Sequence, residues 1–229
     1  KQLLENKLVP QIRTIEKERQ AGFIRMPVFP RESSAFQKIM HRIKIVAGTD
    51  MSVMIFGENG TGKEHIAHHL HDKSKRAGKP FVAVDCGSLS RELAPSAFFG
   101  HVKGAFTGAD STKKGYFHEA EGGTLFLDEV GNLALETQQM LLRAIQGRRY
   151  RPVGDKSDRS FNVRIIAATN EDLEAAVSEK RFRQDLLYRL QDFVITVPPL
   201  RDCQEDIMPL AEFFREIANK ELECNVSGF

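Results

Sequence analysis

The chain has 229 residues, a hydrophobic content of 41%, a charged content of 28% and a formal net charge of +2. These values are typical of a soluble globular protein with one large domain, or with one domain and a smaller one. The charge is too small to indicate binding of nucleic acid or of a membrane, and no apolar run approaches the roughly 20 residues of a transmembrane helix.

The cysteines and the N-terminus indicate a cytoplasmic protein. Cys86, Cys203 and Cys224 are far apart and odd in number, which favours reduced thiols over a disulfide framework. The N-terminus alternates charged and apolar residues and has no signal-peptide core. Because the sequence begins at Lys1 and not at a methionine, we expect a fragment of a longer protein.

Residues 1–22 are predicted to form a linker helix. Its apolar side chains lie on one side: Leu4, Leu8, Ile12 and Ile15. Pro10 argues against a long regular helix here, because a proline in a helix interior costs about 3 kcal/mol or more. Two interpretations stay open, an ordinary packing helix and a dimerising linker from an upstream regulatory domain.

Short apolar strands alternate with helices through most of the chain. We predict helices at 35–47, 64–75 and 136–146, and strands at 51–56, 81–84, 124–127, 163–168 and 193–197. This alternation predicts an α/β fold with a parallel sheet that is covered on both faces. The pair Pro198-Pro199 ends the pattern, and residues 206–221 are predicted to be an amphipathic helix of a second unit.

The stretch 57–64 fits the phosphate-binding pattern G-x-x-x-x-G-K, between a predicted strand and a predicted helix. Its glycines let backbone N–H groups approach phosphates, and Lys63 supplies a positive charge. The predicted nucleotide-binding residues are Gly57, Glu58, Asn59, Gly60, Thr61, Gly62, Lys63 and Glu64. Glu64 takes the place where P-loop proteins usually have a Ser or Thr for magnesium, and a glycine turn without nucleotide is the alternative.

A glycine-flanked hexapeptide follows further along the chain: Gly104, Ala105, Phe106, Thr107, Gly108 and Ala109. Each of its two outer glycines disfavours a helix by about 1 kcal/mol, so we expect a loop. Phe106 is expected to be exposed at the loop tip, as in a contact with a partner. The alternative is a flexible surface loop whose phenylalanine folds into the core.

Two carboxylates, Asp128 and Glu129, end the apolar strand at 124–127. In open α/β sheets, ligands bind at the carboxyl ends of the strands. Together with the phosphate-binding loop, the pair predicts phosphoryl transfer, which needs positioning and charge stabilisation more than covalent chemistry. An Asp-Glu pair alone would more often be a solvated strand end.

These motifs, in this order, resemble the central AAA+ ATPase domain of the NtrC-like activators of sigma-54 RNA polymerase. The resemblance covers residues 23–221. It implies an AAA+ P-loop NTPase fold, with a five-stranded parallel sheet flanked by helices and the start of a small helical lid. The implied boundaries are a linker at 1–22, an α/β ATPase subdomain at 23–199 and a truncated lid at 200–229.

The resemblance also implies the catalytic roles. Asp128 would organise Mg²⁺, and Glu129 would polarise the water that attacks ATP. Thr169 and Asn170 resemble sensor I and would contact the γ-phosphate or the water, although a Thr-Asn pair alone is more often a helix cap or turn.

Two further segments match contact regions of the family. Arg183 and Arg189 resemble arginine fingers that reach a neighbouring subunit, whereas in isolation they would be ordinary surface charges. The loop 104–109 would contact sigma-54, with Phe106 and Thr107 central. Residues 147–159 resemble the second pore loop, and a solvated hairpin tip is the alternative.

Asp85 departs from the family pattern. The family commonly has an asparagine here, which switches the catalytic glutamate. Asp85 cannot donate the amide hydrogen bond and would place a second negative charge near Glu129. We therefore expect altered coupling between nucleotide state and loop movement.

The C-terminal part departs as well. The sensor II stretch Gly-Asn-Val-Arg-Glu-Leu does not occur, and residues 199–203 lack the second arginine that usually follows the prolines. We expect the chain to bind nucleotide and to hydrolyse it weakly.

The implied function is ATP hydrolysis by a bacterial, cytoplasmic activator of a two-component type, coupled to opening of the sigma-54 RNA polymerase–promoter complex. A ring of six or seven subunits is implied, with enhancer DNA bound only through a C-terminal domain that this sequence does not contain, and with no membrane partner. Two alternatives stay open. One is another AAA+ machine, such as an unfoldase or helicase loader. The other is a non-catalytic regulator that binds nucleotide.

Four histidines follow the phosphate-binding loop: His65, His68, His69 and His71. They form no H-E-x-x-H motif and have no accompanying cluster of carboxylates and cysteines. We therefore expect them to serve in packing and at the surface, and not as a metal site.

Overall fold

The computed structural model describes residues 29–228, and the predicted linker helix at 1–22 lies outside these described residues. The helices are α1 (Ser34–Ala47), α2 (Lys63–Asp72), α3 (Ala94–Phe99), α4 (Tyr116–Glu119), α5 (Leu135–Gly147), α6 (Leu173–Ser178), α7 (Gln184–Leu190) and α8 (Ile207–Glu221). The strands are β1 (Val53–Phe56), β2 (Phe81–Asp85), β3 (Thr124–Asp128), β4 (Arg149–Tyr150), β5 (Arg159–Ser160), β6 (Arg164–Thr169) and β7 (Phe193–Thr196).

Five strands form one parallel sheet in the order β2-β3-β6-β1-β7, which confirms the predicted five-stranded parallel sheet. The central strand β6 lies between β3 and β1. Its register places Ile166 beside Val53 of β1 and beside Phe126 of β3. Because all five strands run in one direction, their carboxyl ends share one edge of the sheet.

The sheet separates two apolar layers, as expected for strands buried on both faces. Val53 and Ile55 pack with α1 and α2 on one face. Met54 points to the other face, where it joins the cluster that contains α5. The period of two along β1 thus assigns alternate residues to the two layers.

A buried arginine closes the C-terminal end of α1. Arg164 begins β6, is only 1% exposed, and donates to the carbonyl oxygens of Val46 at 3.0 Å, Ala47 at 2.9 Å and Met51 at 3.3 Å. Two of these carbonyls belong to the last turn of α1, which has no further turn to supply donors. The guanidinium therefore fixes α1 against the sheet.

The elements that the sequence pattern did not predict are the short ones. Helices α3, α4, α6 and α7 have four to seven residues, too few for a clear period of 3.6. The two-stranded hairpin of β4 and β5 was expected only by resemblance, and it is present, with Tyr150 opposite Arg159.

After β7 the chain makes two 3₁₀ turns, Leu200–Asp202 and Gln204–Asp206, and enters α8. The start of α8 is anchored by Asp206, which is fully buried and accepts hydrogen bonds from Arg31 Nε, from Glu32 N and from Ser33 N and Oγ, at 2.6–2.8 Å. Burial raises the pKa of Asp206, but these hydrogen bonds outweigh it and hold that pKa below its usual value.

Helix α8 itself contributes no fully buried side chain, and Met208 and Phe214 are exposed. A lid that begins after residue 199 stays a prediction. Within residues 29–228, no helix combines the length and apolar content needed to cross a membrane.

Candidate functional site

The sheet order brings three of the predicted motifs together at one edge. The phosphate-binding loop follows β1, Thr169 ends β6, and Asp128 ends β3. Since β6 lies between the other two strands, Thr169 stands between the loop and the carboxylates. The backbone N–H of Gly57 donates to the carbonyl oxygen of Thr169 at 3.2 Å and joins the loop directly to this strand end.

The phosphate-binding loop needs its glycines. Gly60 and Gly62 have φ values of 79° and 88°, in the left-handed region that favours glycine. A Cβ at Gly57 would lie 2.8 Å from Thr61 Oγ1 and 3.0 Å from the carbonyl oxygen of Val197. Gly62 is also the residue from which α2 begins, so the positive end of this ten-residue helix faces the loop.

Lys63 is held by the loop that precedes it. Its side chain is buried, and Nζ donates to the carbonyl oxygens of Gly57 at 3.0 Å and Glu58 at 3.2 Å. The charge is thus kept inside the loop by neutral acceptors, which an anion can replace.

A cavity of about 380 Å³ opens beside the loop. Its walls are mainly apolar: Phe29, Pro198, Leu200, Ile207, Leu210, Ala211 and Phe214, together with Arg31, Gly60, Thr61 and Gly62. Phe29 stacks on the ring of His65, with the ring centroids 3.9 Å apart. A mainly apolar cavity next to this glycine-rich loop has the polarity expected of a nucleobase site.

An ion pair joins the loop to the segment after β7. Arg201 Nη1 and Nη2 donate to Glu58 Oε2 at 2.7 Å and Oε1 at 2.5 Å. This hydrogen bonding from Arg201 holds the pKa of the Glu58 carboxyl below its usual value. Arg201 could not be predicted as a site residue from local patterns, because its partner lies 143 positions away in the chain.

Asp128 and Glu129 lie at the sheet edge and are partly exposed. Asp128 Oδ1 accepts from the backbone N–H of Glu129 at 3.0 Å. Glu129 has a left-handed backbone, with φ 50° and ψ 44°, which is uncommon for a residue with a side chain. Its Oε2 accepts a hydrogen bond from Asn132 Nδ2 at 2.9 Å, a contact that the sequence analysis missed.

Asp85 lies next to Asp128 in the sheet register, and its side chain turns back on its own strand end. Asp85 Oδ1 accepts from the backbone N–H of Gly87 at 2.8 Å. A Cβ placed on Gly87 would be 3.2 Å from this oxygen and 2.7 Å from Glu129 Oε2. The carboxylates of Asp85 and Glu129 therefore both lie against Gly87, with no hydrogen bond between them among the described residues.

The two residues resembling sensor I differ in exposure. Thr169 is 1% exposed, and its Oγ1 accepts from the backbone N–H of Glu171 at 3.0 Å. Asn170 is exposed at the edge itself. Asn170 is therefore the freer of the two to contact a ligand.

The two candidate arginine fingers have different surroundings. Arg183 precedes α7 and pairs with Asp185 at 2.8 Å, and its backbone N–H donates to Gln138 Oε1 at 2.9 Å. Arg189 is exposed on α7 and has no ion-pair partner in the described part of the chain. Gln138, buried on α5, thus links the segment of Arg183 to the helix that follows the acidic strand end.

The loop 104–109 has a fixed base and an exposed tip. At the base, His101 and Lys113 exchange two backbone hydrogen bonds of 3.0 Å. Above the base, the N–H of Gly104 donates to the carbonyl oxygen of Ala109 at 2.8 Å, which closes the loop 104–109. Phe106 is 41% exposed and meets the His101 ring edge-on at 5.0 Å. The phenylalanine is therefore presented at the surface and does not fold into the core.

This loop packs directly on the hairpin of β4 and β5. Val102 N–H donates to the carbonyl oxygen of Val153 at 3.1 Å. A Cβ on Gly154 would lie 2.7 Å from the Cβ of Ala105, so the two loops are in close contact. A displacement of one loop must therefore move the other or break these contacts.

Three of the four histidines on α2 make packing or hydrogen-bond contacts. His65 stacks on Phe29, His68 lies 3.9 Å from the Phe81 ring, and His71 Nδ1 shares a hydrogen bond of 2.9 Å with Thr124. Across residues 29–228, no group of three or more His, Cys, Asp or Glu side chains is arranged to hold a metal ion.

His65 is held neutral by its surroundings. Burial lowers the pKa of His65 to about 4, repulsion from His69, His68 and Arg31 adds to this, and Asp72 opposes it. Its Nε2 accepts from the backbone N–H of Phe29 at 3.4 Å, and its buried Nδ1 has no hydrogen-bond partner among residues 29–228. Protonation would place a charge next to the apolar cavity.

We expect acid to destabilise the fold through His65. An unfolded histidine takes up its proton near pH 6.5, well before the folded one does. Stability is therefore complete above that pH and falls from pH 6.5 towards pH 4, by about 1.4 kcal/mol per pH unit. Urea unfolding at a series of pH values should show a shallower loss for His65→Phe than for the parent. The exposed control His118→Phe should keep the parent slope, and an unchanged slope in His65→Phe would contradict the assignment.

Comparisons with known proteins agree with this geometry. A family model described as "Sigma-54 interaction domain" matches residues 29–196. The chain is 48% identical over 198 residues to "Transcriptional regulatory protein ZraR" of Klebsiella oxytoca, which covers 86% of this chain and 45% of that protein. It is 45% identical over 207 residues to "DNA-binding transcriptional regulator NtrC" of Rhizobium meliloti (strain 1021), covering 90% of this chain and 42% of that protein.

A solved structure matches over nearly the whole chain. The crystal structure of NtrX from Brucella abortus in complex with ADP has a TM-score of 0.80 and 33% sequence identity, and it covers 93% of this chain and 47% of that one. The chain thus spans about half the length of the relatives it matches.

Proposed function

Because this chain belongs to the Sigma-54 interaction domain family, we propose that it hydrolyses ATP and uses the hydrolysis to convert the closed sigma-54 RNA polymerase–promoter complex to the open complex. The observation that carries the proposal is the shared sheet edge, where Lys63, Asp128 and Thr169 follow or end adjacent strands. The exposed Phe106 loop of the same chain supplies a contact surface.

The phosphate-binding loop would hold the triphosphate. Backbone N–H groups of residues 60–63 and the N-terminal end of α2 would face the anion. Lys63 would exchange the carbonyl oxygens of Gly57 and Glu58 for the outer phosphates, where its charge stabilises the transferring group. The apolar cavity beside Phe29 would take the base.

Glu129 would act on the attacking water. Its carboxylate lies beyond the end of a buried strand and is partly exposed, so a water molecule has access to it. A carboxylate that accepts a proton or orients water contributes about 10²- to 10⁴-fold to a rate. Asn170, exposed at the neighbouring strand end, would hydrogen-bond the same water or the γ-phosphate.

The residues present fit a magnesium ion that enters with the nucleotide. Asp128 is partly exposed, and its Oδ2 accepts no hydrogen bond from any described residue, so a hard oxygen ligand is available. Bound Mg²⁺ would neutralise charge on the phosphates. Glu64, in place of the usual hydroxyl residue, leaves this duty mainly to Asp128.

Completion of the site would need a second copy of the chain. Arg189 is exposed and unpaired among the described residues, and Arg183 would leave Asp185 to reach a neighbour's phosphates. An arginine supplied in this way raises phosphoryl-transfer rates by about 10³- to 10⁵-fold. Repeated head-to-tail contacts that close produce a ring, and six or seven subunits are proposed.

The loop 104–109 would carry the mechanical output to sigma-54. Phe106 is exposed at its tip, and the loop packs on the hairpin of β4 and β5 through Val102 and Gly154. A nucleotide-dependent shift at the sheet edge would therefore be expressed in two loops that move together.

The test is binding of purified sigma-54 to the 229-residue chain, with and without ADP–aluminium fluoride. We expect retention of sigma-54 only when the transition-state analogue is bound. Tight binding of the analogue without retention of sigma-54 would contradict the proposal and favour another AAA+ machine.

A further inference from the structure

One side-chain amide determines where the Glu129 carboxylate points. Asn132 Nδ2 donates to Glu129 Oε2 at 2.9 Å, and the backbone N–H of Asn132 donates to the Glu129 carbonyl oxygen at 3.0 Å. Asn132 thus closes the 3₁₀ turn Val130–Asn132. It also holds the side chain of Glu129, the residue that precedes this turn. Both contacts come from one residue, so the backbone turn and the carboxylate orientation are fixed together.

The carboxylate is held on the side of the outer strand. Glu129 Oε2 lies 2.7 Å from the position of a Cβ on Gly87, and Gly87 follows β2. In the sheet order β2-β3-β6-β1-β7, β2 is on one side of β3, and the phosphate-binding loop follows β1 on the other side. Glu129 is therefore turned away from the loop that would hold the phosphates.

Asp85 does not provide this restraint. Asp85 Oδ1 accepts from the backbone N–H of Gly87, and a carboxylate has no proton to donate to Glu129. Two carboxylates against one glycine repel each other, which opposes the observed orientation of Glu129. The amide of Asn132 is the neutral donor that offsets this repulsion among the described residues.

We propose that Asn132 is a positioning residue that holds Glu129 in an inactive orientation until nucleotide and partner are in place. The proposal rests on the ATP hydrolysis proposed above, since it concerns the residue assigned to the attacking water. The amide donor to the Glu129 carboxylate is then Asn132, three positions further along the chain, and not the residue at position 85. When the bond to Asn132 breaks, Glu129 is free to turn towards the phosphate-binding loop.

The kinetic test uses ATP turnover of the chain without sigma-54. Asn132→Ala is expected to raise basal kcat about two- to tenfold, the equivalent of one exposed hydrogen bond, with the dissociation constant for ATP unchanged. Asp85→Asn adds an amide on the other side of Gly87 and is expected to lower basal kcat. The double variant should return towards the parent value, an outcome that a merely structural role of Asn132 does not produce.

The matched control is Asn219→Ala, which removes another side-chain amide that makes exposed hydrogen bonds, in this case to the backbone of Val226 near the end of α8. Its kcat should equal that of the parent. A kcat for Asn132→Ala that is equal to or below that of the parent overturns the proposal.

A measurement that needs no turnover separates this proposal from the proposed function. The side-chain amide signals of Asn132 are followed by ¹⁵N NMR in the nucleotide-free chain. They should shift in Glu129→Ala and stay in place in Glu136→Ala, which removes an exposed carboxylate four positions further along. If the amide signals of Asn132 do not shift in Glu129→Ala, the positioning role is overturned. If the parent chain shows no ATP turnover, the proposed function is overturned instead.

Discussion

Replacing Glu129 by glutamine is expected to lower ATP turnover by about 10²- to 10⁴-fold, with the affinity for ATP unchanged. Glutamine has nearly the shape of glutamate and can still accept the hydrogen bond from Asn132, but it cannot take a proton from water. The nucleotide contacts lie in the loop that follows β1 and are left intact. Steady-state phosphate release and equilibrium binding of a fluorescent ATP analogue measure the two quantities separately.

The control for this experiment is Glu136→Gln, an exposed carboxylate in the first turn of α5. It should match the parent in both measurements. Equal turnover in Glu129→Gln and the parent would remove Glu129 from the mechanism. If the parent binds ATP but neither protein hydrolyses it, the chain is a nucleotide-binding regulator and not an ATPase.

Replacing Phe106 by alanine is expected to raise the dissociation constant for sigma-54 by about 30-fold or more, the effect of truncating a central interface residue. The ring is exposed at the tip of a loop whose base is fixed by His101 and Lys113, so truncation removes contact area without disturbing the fold. Pull-down or surface-based binding with ADP–aluminium fluoride measures the effect, and ATP affinity should stay at the parent value.

Ile45→Ala is the matched control, because Ile45 is 59% exposed on α1, outside the contact loop. It should bind sigma-54 as the parent does. If both variants bind equally well, Phe106 is not the contact, and a different surface of the chain must carry any interaction with sigma-54.

The family predicted from the sequence motifs is confirmed by the match over residues 29–196, and the predicted parallel α/β sheet is confirmed by the structure. Motifs of this kind depend on short-range chemistry. A glycine-rich turn that ends in Lys63 and an apolar strand that ends in Asp128 can each be identified from fewer than ten residues, because each is one strand and its adjoining turn. The roles assigned to individual residues stay predictions.

Contacts between distant segments did not follow from the motifs. The pair of Arg201 with Glu58 joins two stretches far apart in the chain, and nothing local in either stretch predicts the other. The pairing of Arg183 with Asp185 is local. The resemblance of this segment to an arginine finger, which reaches a neighbouring subunit, nevertheless gave no indication that Arg183 is paired within its own chain. The Arg201–Glu58 pair depends on where the two elements are placed, which is decided by packing.

The sequence by itself determined the alternation of strands and helices, the glycine-rich turn that leads into α2 and the exposed loop around Phe106, because apolar periodicity and glycine backbone freedom act over a few residues. Only the tertiary structure decided the order β2-β3-β6-β1-β7, which places Thr169 between the loop and Asp128. It also decided that Glu129 is turned towards Gly87 and held by Asn132. The physical reason is that backbone pairing between remote strands is selected by burial of the whole sheet, and no local pattern records which strands become neighbours.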